Sequence, residues 1–201
     1  MNGKRITVLV SNDLEFDQRV AIVCSILEQM GYQITLVGRM LPTSRHFERS
    51  YPTKRFKLLF ERGALFYAAL NIRMFWYLLL AKTDVILAND LDTLLPAFLV
   101  SKLRGKELVY DSHEYFTEAE GLTGRGFQKK VWLSIERFVF PKLKRVYTVN
   151  ESIASIYRDL YNVKVDVVRN IPRISHLVPS DRSVLNLPID KHIIILQGAY
   201  L

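Results

Sequence analysis

The chain has 201 residues, 49% hydrophobic and 24% charged, which suits a globular protein with a sizeable core and excludes a disordered chain. Its single cysteine, Cys24, excludes an internal disulfide, and the first residues enter an apolar strand without the features of a signal peptide, so a cytoplasmic location is expected. The net charge of +8 is concentrated in Arg39–Arg62 and Arg125–Arg145, which excludes an evenly charged surface.

Short apolar runs alternate with segments of helical periodicity along the chain. Strands are predicted at Ile6–Ser11, Ile34–Val37, Phe56–Phe60, Val85–Ala88, Leu108–Tyr110, Val146–Val149 and Val165–Val168. Helices are predicted from an N-cap at Asp17 to Gly31, and at Ala64–Leu80, Leu94–Leu103, Phe127–Leu143 and Ser152–Tyr161. Nearly continuous apolar strands separated by helices favour an α/β fold with a doubly wound, mostly parallel sheet of about seven strands.

The helix at Ala64–Leu80 is apolar enough to raise the question of a membrane span. It is only about as long as the shortest spans, and Asn71 and Arg73 lie at its centre. We therefore predict a buried or membrane-edge helix at this position.

The pattern changes near residue 170, where prolines become frequent and apolar periodicity is lost. Residues 1–172 are predicted to form the first domain and residues 173–190 an interdomain linker. Residues 191–201 are predicted to begin a second domain with a strand at Ile193–Leu196.

A cluster of polar residues follows the fifth predicted strand. The stretch ELVYDSHEYF delivers Asp111, Ser112, His113 and Glu114 together, and ligands of open parallel sheets bind at the carboxyl edge of the strands. Two interpretations are open for His113. It either makes a structural hydrogen bond beside a helix cap or belongs to an active site.

Two common chemistries are not indicated. The turn after the first strand, SNDLEFD, has three acids and no glycine, and the chain has no glycine-rich phosphate-binding motif. The four histidines are far apart without metal-type spacing, so neither a metal nor another cofactor is predicted.

Six short motifs occur in an order that resembles a known family. They are VSNDLEFDQRV, ILANDLDTLLPA, LVYDSHEYF, YTVNESI, VVRNIPR and IIILQGAY. Together they resemble the N-terminal domain of glycosyltransferase family four, whose fold is GT-B. Each motif alone is weak, and the resemblance covers essentially the whole chain.

This resemblance implies a retaining, metal-independent enzyme in which two Rossmann-like domains face each other across a cleft. By similarity, His113 matches the histidine that contacts the donor sugar and the reaction centre, while Asp17 and Arg19 match the polar turn beside the acceptor. The sequence departs from the family at the first turn, where many relatives have a glycine pair. The further substrate-binding residues implied at the same edge are Asn89, Asp90, Asp92, Asp111, Ser112, Glu114, Asn150 and Glu151.

The implied function is transfer of a sugar from a nucleotide-sugar donor to a glycan or lipid-linked acceptor in cell-surface polysaccharide synthesis. The family's donor-binding residues lie in the C-terminal domain, so residues 1–201 alone are expected not to transfer sugar. Two alternatives stay open, a sugar-nucleotide epimerase of the same fold and a non-catalytic binding domain.

The two basic stretches suggest a phosphate-bearing partner, although solvated loops and helix faces have the same composition. Because the aromatic residues Phe66, Tyr67, Phe75, Trp76 and Tyr77 accompany them, we expect peripheral contact with an anionic inner membrane. A nucleic-acid partner is not expected.

Overall fold

The computed structural model describes residues 3–15, 17–46, 48–118, 126–171 and 180–195. The chain divides into two compact units, Met1–Asn170 and Ile171–Leu201, which are described separately.

The first unit contains one sheet of seven strands in which every neighbouring pair is parallel. The strands are β1 (Arg5–Asp13), β2 (Gln33–Met40), β3 (Thr53–Lys57), β4 (Val85–Asn89), β5 (Glu107–Ser112), β6 (Val146–Thr148) and β7 (Val165–Val167). The order β3-β2-β1-β4-β5-β6-β7 reverses direction between β1 and β4, which creates a topological switch point. The predicted parallel α/β sheet is confirmed.

Five α-helices connect these strands and cover both faces of the sheet. They are α1 (Gln18–Gln29), α2 (Gly63–Leu80), α3 (Leu91–Arg104), α4 (Gly126–Val139) and α5 (Glu151–Tyr161). Alternate residues of β1 face opposite sides, with Val8 packed in the cluster of α1 and Leu9 in the cluster of α2 to α5. Cys24 is free and buried in α1.

Three predicted elements, the third strand, the third helix and the fourth helix, have boundaries that differ from the structure by three or more residues. The third strand ends at Lys57 rather than Phe60, because its partner β2 ends at Met40, which pairs with Lys57. The fourth helix ends at Val139, and Phe140–Lys142 forms a short 3-10 turn. Pro141 explains this change, since proline lacks the N–H that would continue the α-helix.

The third helix begins at Leu91, three residues before the predicted start, and it contains Pro96. Because Pro96 has no N–H, the carbonyl of Asp92 lacks its partner from the next turn of the helix. Asn71 of α2 takes that place, since its Nδ2 donates to the Asp92 carbonyl at 2.8 Å. The asparagine in the middle of the apolar helix therefore joins α2 to α3.

Helix α2 is buried on one side and exposed on the other. Its inner face places Phe66, Leu70, Met74 and Leu78 in the core, as a buried helix requires. By its length and its mean hydropathy of 1.4, this helix could cross a membrane. In this structure, 22% of the helix is buried.

The loop after β1 crosses β2 at Gly38, and this crossing places the first polar residues of the carboxyl edge. A Cβ at Gly38 would lie 2.5 Å from Leu14 Cδ2 and 2.8 Å from the carbonyl oxygen of Asn12. Glycine is thus the residue that allows this loop to pack directly on the neighbouring strand.

The described part of the second unit, residues 180–195, contains turns. Arg182 Nη1 donates to the carbonyls of Pro188, Ile189 and Lys191 at 3.1–3.4 Å. Residues 193–195 form no strand, so the predicted strand at Ile193–Leu196 is wrong for these residues, and Leu196 lies outside the described residues. A strand without a neighbour leaves its backbone groups unpaired, which explains the result. The predicted domain boundaries stay predictions.

We predict that Gly38→Ala lowers the free energy of unfolding by about 1–3 kcal/mol, because the added methyl group overpacks the crossing. Gly126→Ala is the matched control, since nothing lies within 4 Å of a Cβ at that position. Urea unfolding of both variants measures the difference. Equal stability of the two variants would show that the loop moves aside at no cost.

Candidate functional site

A cavity of about 520 Å³ opens at the carboxyl edge of the sheet. Its walls come from the end of β1, the start of α1, the loop after β5 and the segments that follow β6 and β7. The lining residues are Asn12, Asp13, Asp17, Gln18, Arg19, His113, Val149 and Asn170.

His113 lies between two carboxylates. Its Nε2 is 3.1 Å from Asp111 Oδ2, and its Nδ1 is 3.3 Å from Asp90 Oδ2. The backbone N–H of His113 also donates to Asp90 Oδ1 at 2.9 Å. The ring is therefore held at both nitrogens and through its own backbone.

Arg19 extends this arrangement to the first helix. Its Nη2 donates to Asp111 Oδ1 at 2.7 Å, and the Asp111 side chain is fully buried. Charges thus alternate in the order Arg19, Asp111, His113, Asp90, which we call the charge chain. It connects α1, the end of β5 and the junction between β4 and α3.

The charge chain shifts the pKa values of its members. Burial lowers the pKa of His113, but the hydrogen bond to Asp111 and the charge of Asp90 outweigh it, so the pKa is raised. Burial raises the pKa of Asp90 to about 6, although the charge of His113 opposes this shift. Burial and the charge of Asp111 also raise the pKa of Tyr147.

Asp90 adopts an unusual backbone conformation. Its φ of 60° is combined with a ψ of 167°, a region of backbone conformation that is essentially restricted to glycine. Its N–H donates to the Asp111 carbonyl at 2.9 Å, which fixes the junction against β5. Strain of this kind persists where the surrounding contacts hold it, as the contacts to His113 and Asp111 do here.

Two other predicted residues of this junction are buried beneath the edge and do not line the cavity. Asn89 Nδ2 donates to the Leu9 carbonyl at 2.9 Å and joins β4 to β1. Burial, followed by the charge of Asp90, raises the pKa of Asp92 to about 7. Asp92 Oδ1 has no hydrogen-bond partner among the described residues.

The residues on either side of His113 have different surroundings. Ser112 is buried, and its hydroxyl donates to the Glu114 carbonyl at 2.9 Å and contacts the Tyr157 hydroxyl at 3.1 Å. The Glu114 side chain is exposed. Neither residue lines the cavity.

Asn150 and Glu151 begin α5 rather than line the cavity. Asn150 Oδ1 accepts from the N–H of Ile153 at 2.9 Å, which is an N-cap contact. Glu151 forms an ion pair with Arg158 of the same helix. A structural explanation therefore accounts for the contacts of both residues.

Asp17 has two roles. It is the predicted N-cap of α1, since its Oδ1 accepts from the N–H of Val20 at 3.0 Å, and it also lines the cavity. Asp13 is held by Arg55, whose Nη1 lies 3.4 Å from its Oδ1, and by Ser44.

The predicted site residues did not include five of the lining residues, Asn12, Asp13, Gln18, Val149 and Asn170. All five lie inside motifs that carried the family resemblance, VSNDLEFDQRV, YTVNESI and VVRNIPR. The motifs were therefore the available signal, because the rule that ligands bind at the carboxyl edge of the strands did not select these residues.

The described residues contain no group of three or more His, Cys, Asp or Glu side chains that could hold a metal ion. Cavity residues that could bind a ligand are instead amide, carboxylate and guanidinium groups. Such groups suit hydroxyl-rich ligands, because they offer both hydrogen-bond donors and acceptors.

Comparison with known proteins identifies a family by sequence. Residues 18–173 match the family described as Glycosyltransferase Family 4. No curated protein matches the sequence.

Solved structures share the fold at low sequence identity. A sucrose-phosphate synthase from Thermosynechococcus elongatus is 14% identical with a TM-score of 0.67, covering 93% of this chain and 53% of its own. The UGT2 of Phytolacca americana, complexed with UDP-2fluoro-glucose and pterostilbene, is 11% identical with a TM-score of 0.60 and coverage of 87% and 56%. The lipopolysaccharide outer core galactosyltransferase WaaB is 12% identical with a TM-score of 0.55 and coverage of 89% and 49%. This chain therefore spans about half the length of these three proteins.

We predict that Asp92→Asn stabilises the chain as the pH rises. The pKa of Asp92 in the folded chain is about 7, above its ordinary value of 3.8, so its contribution to stability is present below pH 3.8 and lost as the pH rises through 7. The variant avoids this loss and should gain about 1–3 kcal/mol relative to wild type between pH 4 and pH 8.

Urea unfolding at several pH values measures this gain. Asp159→Asn, at an exposed position of α5, is the matched control for the substitution of a buried carboxylate. If the difference in unfolding free energy between Asp92→Asn and wild type did not change with pH, Asp92 would ionise freely in the folded chain.

Proposed function

This chain belongs to glycosyltransferase family 4, and we propose that it forms the acceptor-side domain of an enzyme that transfers a sugar from a nucleotide-sugar donor to a glycan or lipid-linked acceptor. The observation that carries the proposal is the charge chain beside a polar cavity at the carboxyl edge of β1, β4 and β5.

The charges of the cavity favour an acceptor over a donor diphosphate. Asp13 and Asp17 line the cavity, Arg55 compensates the charge of Asp13, and Asp111 compensates the positive charge of Arg19. A diphosphate would meet the carboxylate of Asp17 while Arg19 and Arg55 are already paired, whereas neutral hydroxyl groups could bind the same oxygens and amides. This balance supports binding of a carbohydrate.

The proposed chemistry is retaining and metal-independent. Transfer forms a bond between an acceptor oxygen and the anomeric carbon, breaks the bond to the nucleoside diphosphate, and releases the acceptor proton. Charge develops on the sugar and on the leaving group, so preorganised charges and hydrogen bonds stabilise the transition state. His113 is the residue of this chain proposed to act there.

We further propose that the enzyme works in the cytoplasm, in synthesis of cell-surface polysaccharide. An epimerase is the second candidate, because the UDP-GlcNAc 2-epimerase from Methanocaldococcus jannaschii shares the fold with a TM-score of 0.50 at 16% identity. An epimerase would alter a nucleotide sugar without any acceptor, and a transferase would require one.

We predict that the 201-residue chain binds UDP-, GDP- and ADP-sugars only weakly, with Kd values above about 1 mM, and makes no transfer product by itself. The physical reason is the acidic cavity, together with the need to position two reactants before reaction. Isothermal titration and a nucleotide-release assay, with and without mixed glycan acceptors, are the measurements.

Asp17→Asn serves as a charge control, since it removes one cavity carboxylate and asparagine still caps a helix. Micromolar donor binding with robust transfer by residues 1–201 would contradict the acceptor-side assignment. Acceptor-independent change of the donor sugar would favour the epimerase.

A membrane-facing surface is proposed from helices α2, α3 and α4, which we call the helical face. Large apolar side chains are exposed on all three helices, and they are Leu65, Ile72, Trp76 and Leu80 of α2, Leu99 and Leu103 of α3, and Phe127, Val131 and Phe138 of α4. An exposed apolar surface of this kind commonly marks an interaction site.

The charges of the helical face have one sign. The only acidic residues of these three helices, Asp92 and Glu136, are buried. Exposed basic residues, including Arg73, Lys102, Lys130 and Arg137, accompany the apolar ones. Apolar and basic side chains on one surface complement an anionic lipid headgroup layer.

We predict that the chain co-sediments with phosphatidylglycerol vesicles and that added salt weakens this binding. Trp76→Ser should weaken it by about tenfold or more, because the indole loses its apolar contact with the lipid. Vesicle co-sedimentation at low and high salt measures both effects.

Ile26→Ser is the matched control, since Ile26 is exposed on α1 at the opposite face of the sheet. Equal binding to phosphatidylcholine vesicles, or equal loss in both variants, would contradict the proposed surface.

A further inference from the structure

We infer that Asp90 is a positioning residue that, together with Asp111, holds His113 as an imidazolium, hydrogen-bonded through Nε2 and ion-paired through Nδ1, so that His113 offers a positive charge and a hydrogen-bond donor rather than a proton acceptor. The inference concerns the chain without bound ligand. It does not depend on which sugar is transferred.

The count of ring hydrogens carries the argument. A neutral imidazole has one N–H and one lone pair, whereas the imidazolium has two N–H groups. Each ring nitrogen of His113 faces a carboxylate oxygen, Asp111 Oδ2 at 3.1 Å and Asp90 Oδ2 at 3.3 Å. In a neutral ring, one of these contacts would place a nitrogen lone pair against a carboxylate. While Asp90 and Asp111 are both ionised, only the imidazolium presents an N–H to both carboxylates.

The other charged groups near the ring do not reverse this conclusion. Arg19 opposes a positive ring, but its Nη2 is paired with Asp111 Oδ1 at 2.7 Å. The carboxylates of Asp92 and Glu114 also act on this site through Asp90, and both are negative when ionised. The surroundings of His113 therefore contain more negative than positive groups.

The two carboxylates differ in how firmly they are held. Asp111 is fully buried and is braced by Arg19, so its contact with Nε2 fixes one side of the ring. The Asp90 side chain is 24% exposed and makes the longer contact, 3.3 Å to Nδ1. Nδ1–H is therefore the donor that a ligand oxygen could take over from Asp90.

This assignment limits what His113 does in the proposed reaction. An imidazolium cannot remove a proton from an acceptor hydroxyl, but it can donate to an oxygen and stabilise negative charge in the transition state. The acceptor proton must then pass to a group other than His113, and an oxygen of the departing nucleoside diphosphate can take it.

Nitrogen-15 NMR of ring-labelled histidine in the 201-residue chain tests the inference. In wild type, both ring nitrogens of His113 should report N–H at pH 7, and its titration midpoint should lie above those of exposed His46 and His192. Asp90→Asn should move that midpoint to lower pH.

The asparagine variant isolates the charge of Asp90. Asparagine has nearly the same shape as aspartate, so the backbone strain at this position stays the same, and its amide oxygen can still accept from the backbone N–H of His113. Asp17→Asn removes a carboxylate of the same cavity without a recorded contact to the ring, and it should shift the midpoint much less.

A wild-type ring with one unprotonated nitrogen at pH 7 would overturn the inference, and this spectrum needs no variant to fold. An unchanged His113 midpoint in folded Asp90→Asn would overturn the role of Asp90. Neither readout requires a substrate, so failure here is distinguishable from failure of the proposed transfer activity.

Discussion

The carboxylate of Asp111 is the constraint on which the edge of this domain depends. It lies at the end of β5 with no exposure to solvent, and a buried carboxylate destabilises a protein by several kcal/mol unless it is paired and hydrogen-bonded. Arg19 supplies one partner from α1, and His113 supplies the other from the loop after β5. Satisfying one buried charge therefore fixes the start of a helix, the end of a strand and the orientation of a ring.

The same requirement extends to the junction between β4 and α3. Asp90 holds both the backbone N–H and the ring of His113, and its own positive φ is retained by these contacts. Its neighbours are used for the fold, because Asn89 joins β4 to β1 and the Asp92 carbonyl accepts from Asn71 beside Pro96. Asp90 thus holds His113, while its neighbours Asn89 and Asp92 join this segment to β1 and α2. The resulting network contains two positive and two negative groups, which suits a neutral, hydroxyl-rich ligand.

Sequence patterns predicted the sheet well because its central strands, such as Val85–Asn89, are nearly continuous apolar runs. Such runs are typical of strands that are covered on both faces. The patterns failed at Phe56–Phe60, because pairing with the neighbouring strand sets the bounds of β3. They also failed near Pro96, because a tertiary contact to the Asp92 carbonyl compensates for the proline inside the helix.

At the site, the family resemblance selected His113 and Asp90, which the structure places in contact, and it also selected Asn150, whose contact is an N-cap. Asn12 was not selected, because the packing of the end of β1 against Gly38 has no local sequence signal.

The most direct test of the account is turnover of an enzyme that joins this chain to a donor-binding domain, compared between His113→Ala and His46→Ala. His46 is exposed and does not line the cavity, so its variant controls for loss of an imidazole. The account predicts that His113→Ala lowers turnover by more than about 10²-fold with the fold intact, because one preorganised donor is commonly worth that much, while His46→Ala retains wild-type turnover. Near-wild-type turnover of His113→Ala would show that the charge chain only supports the fold.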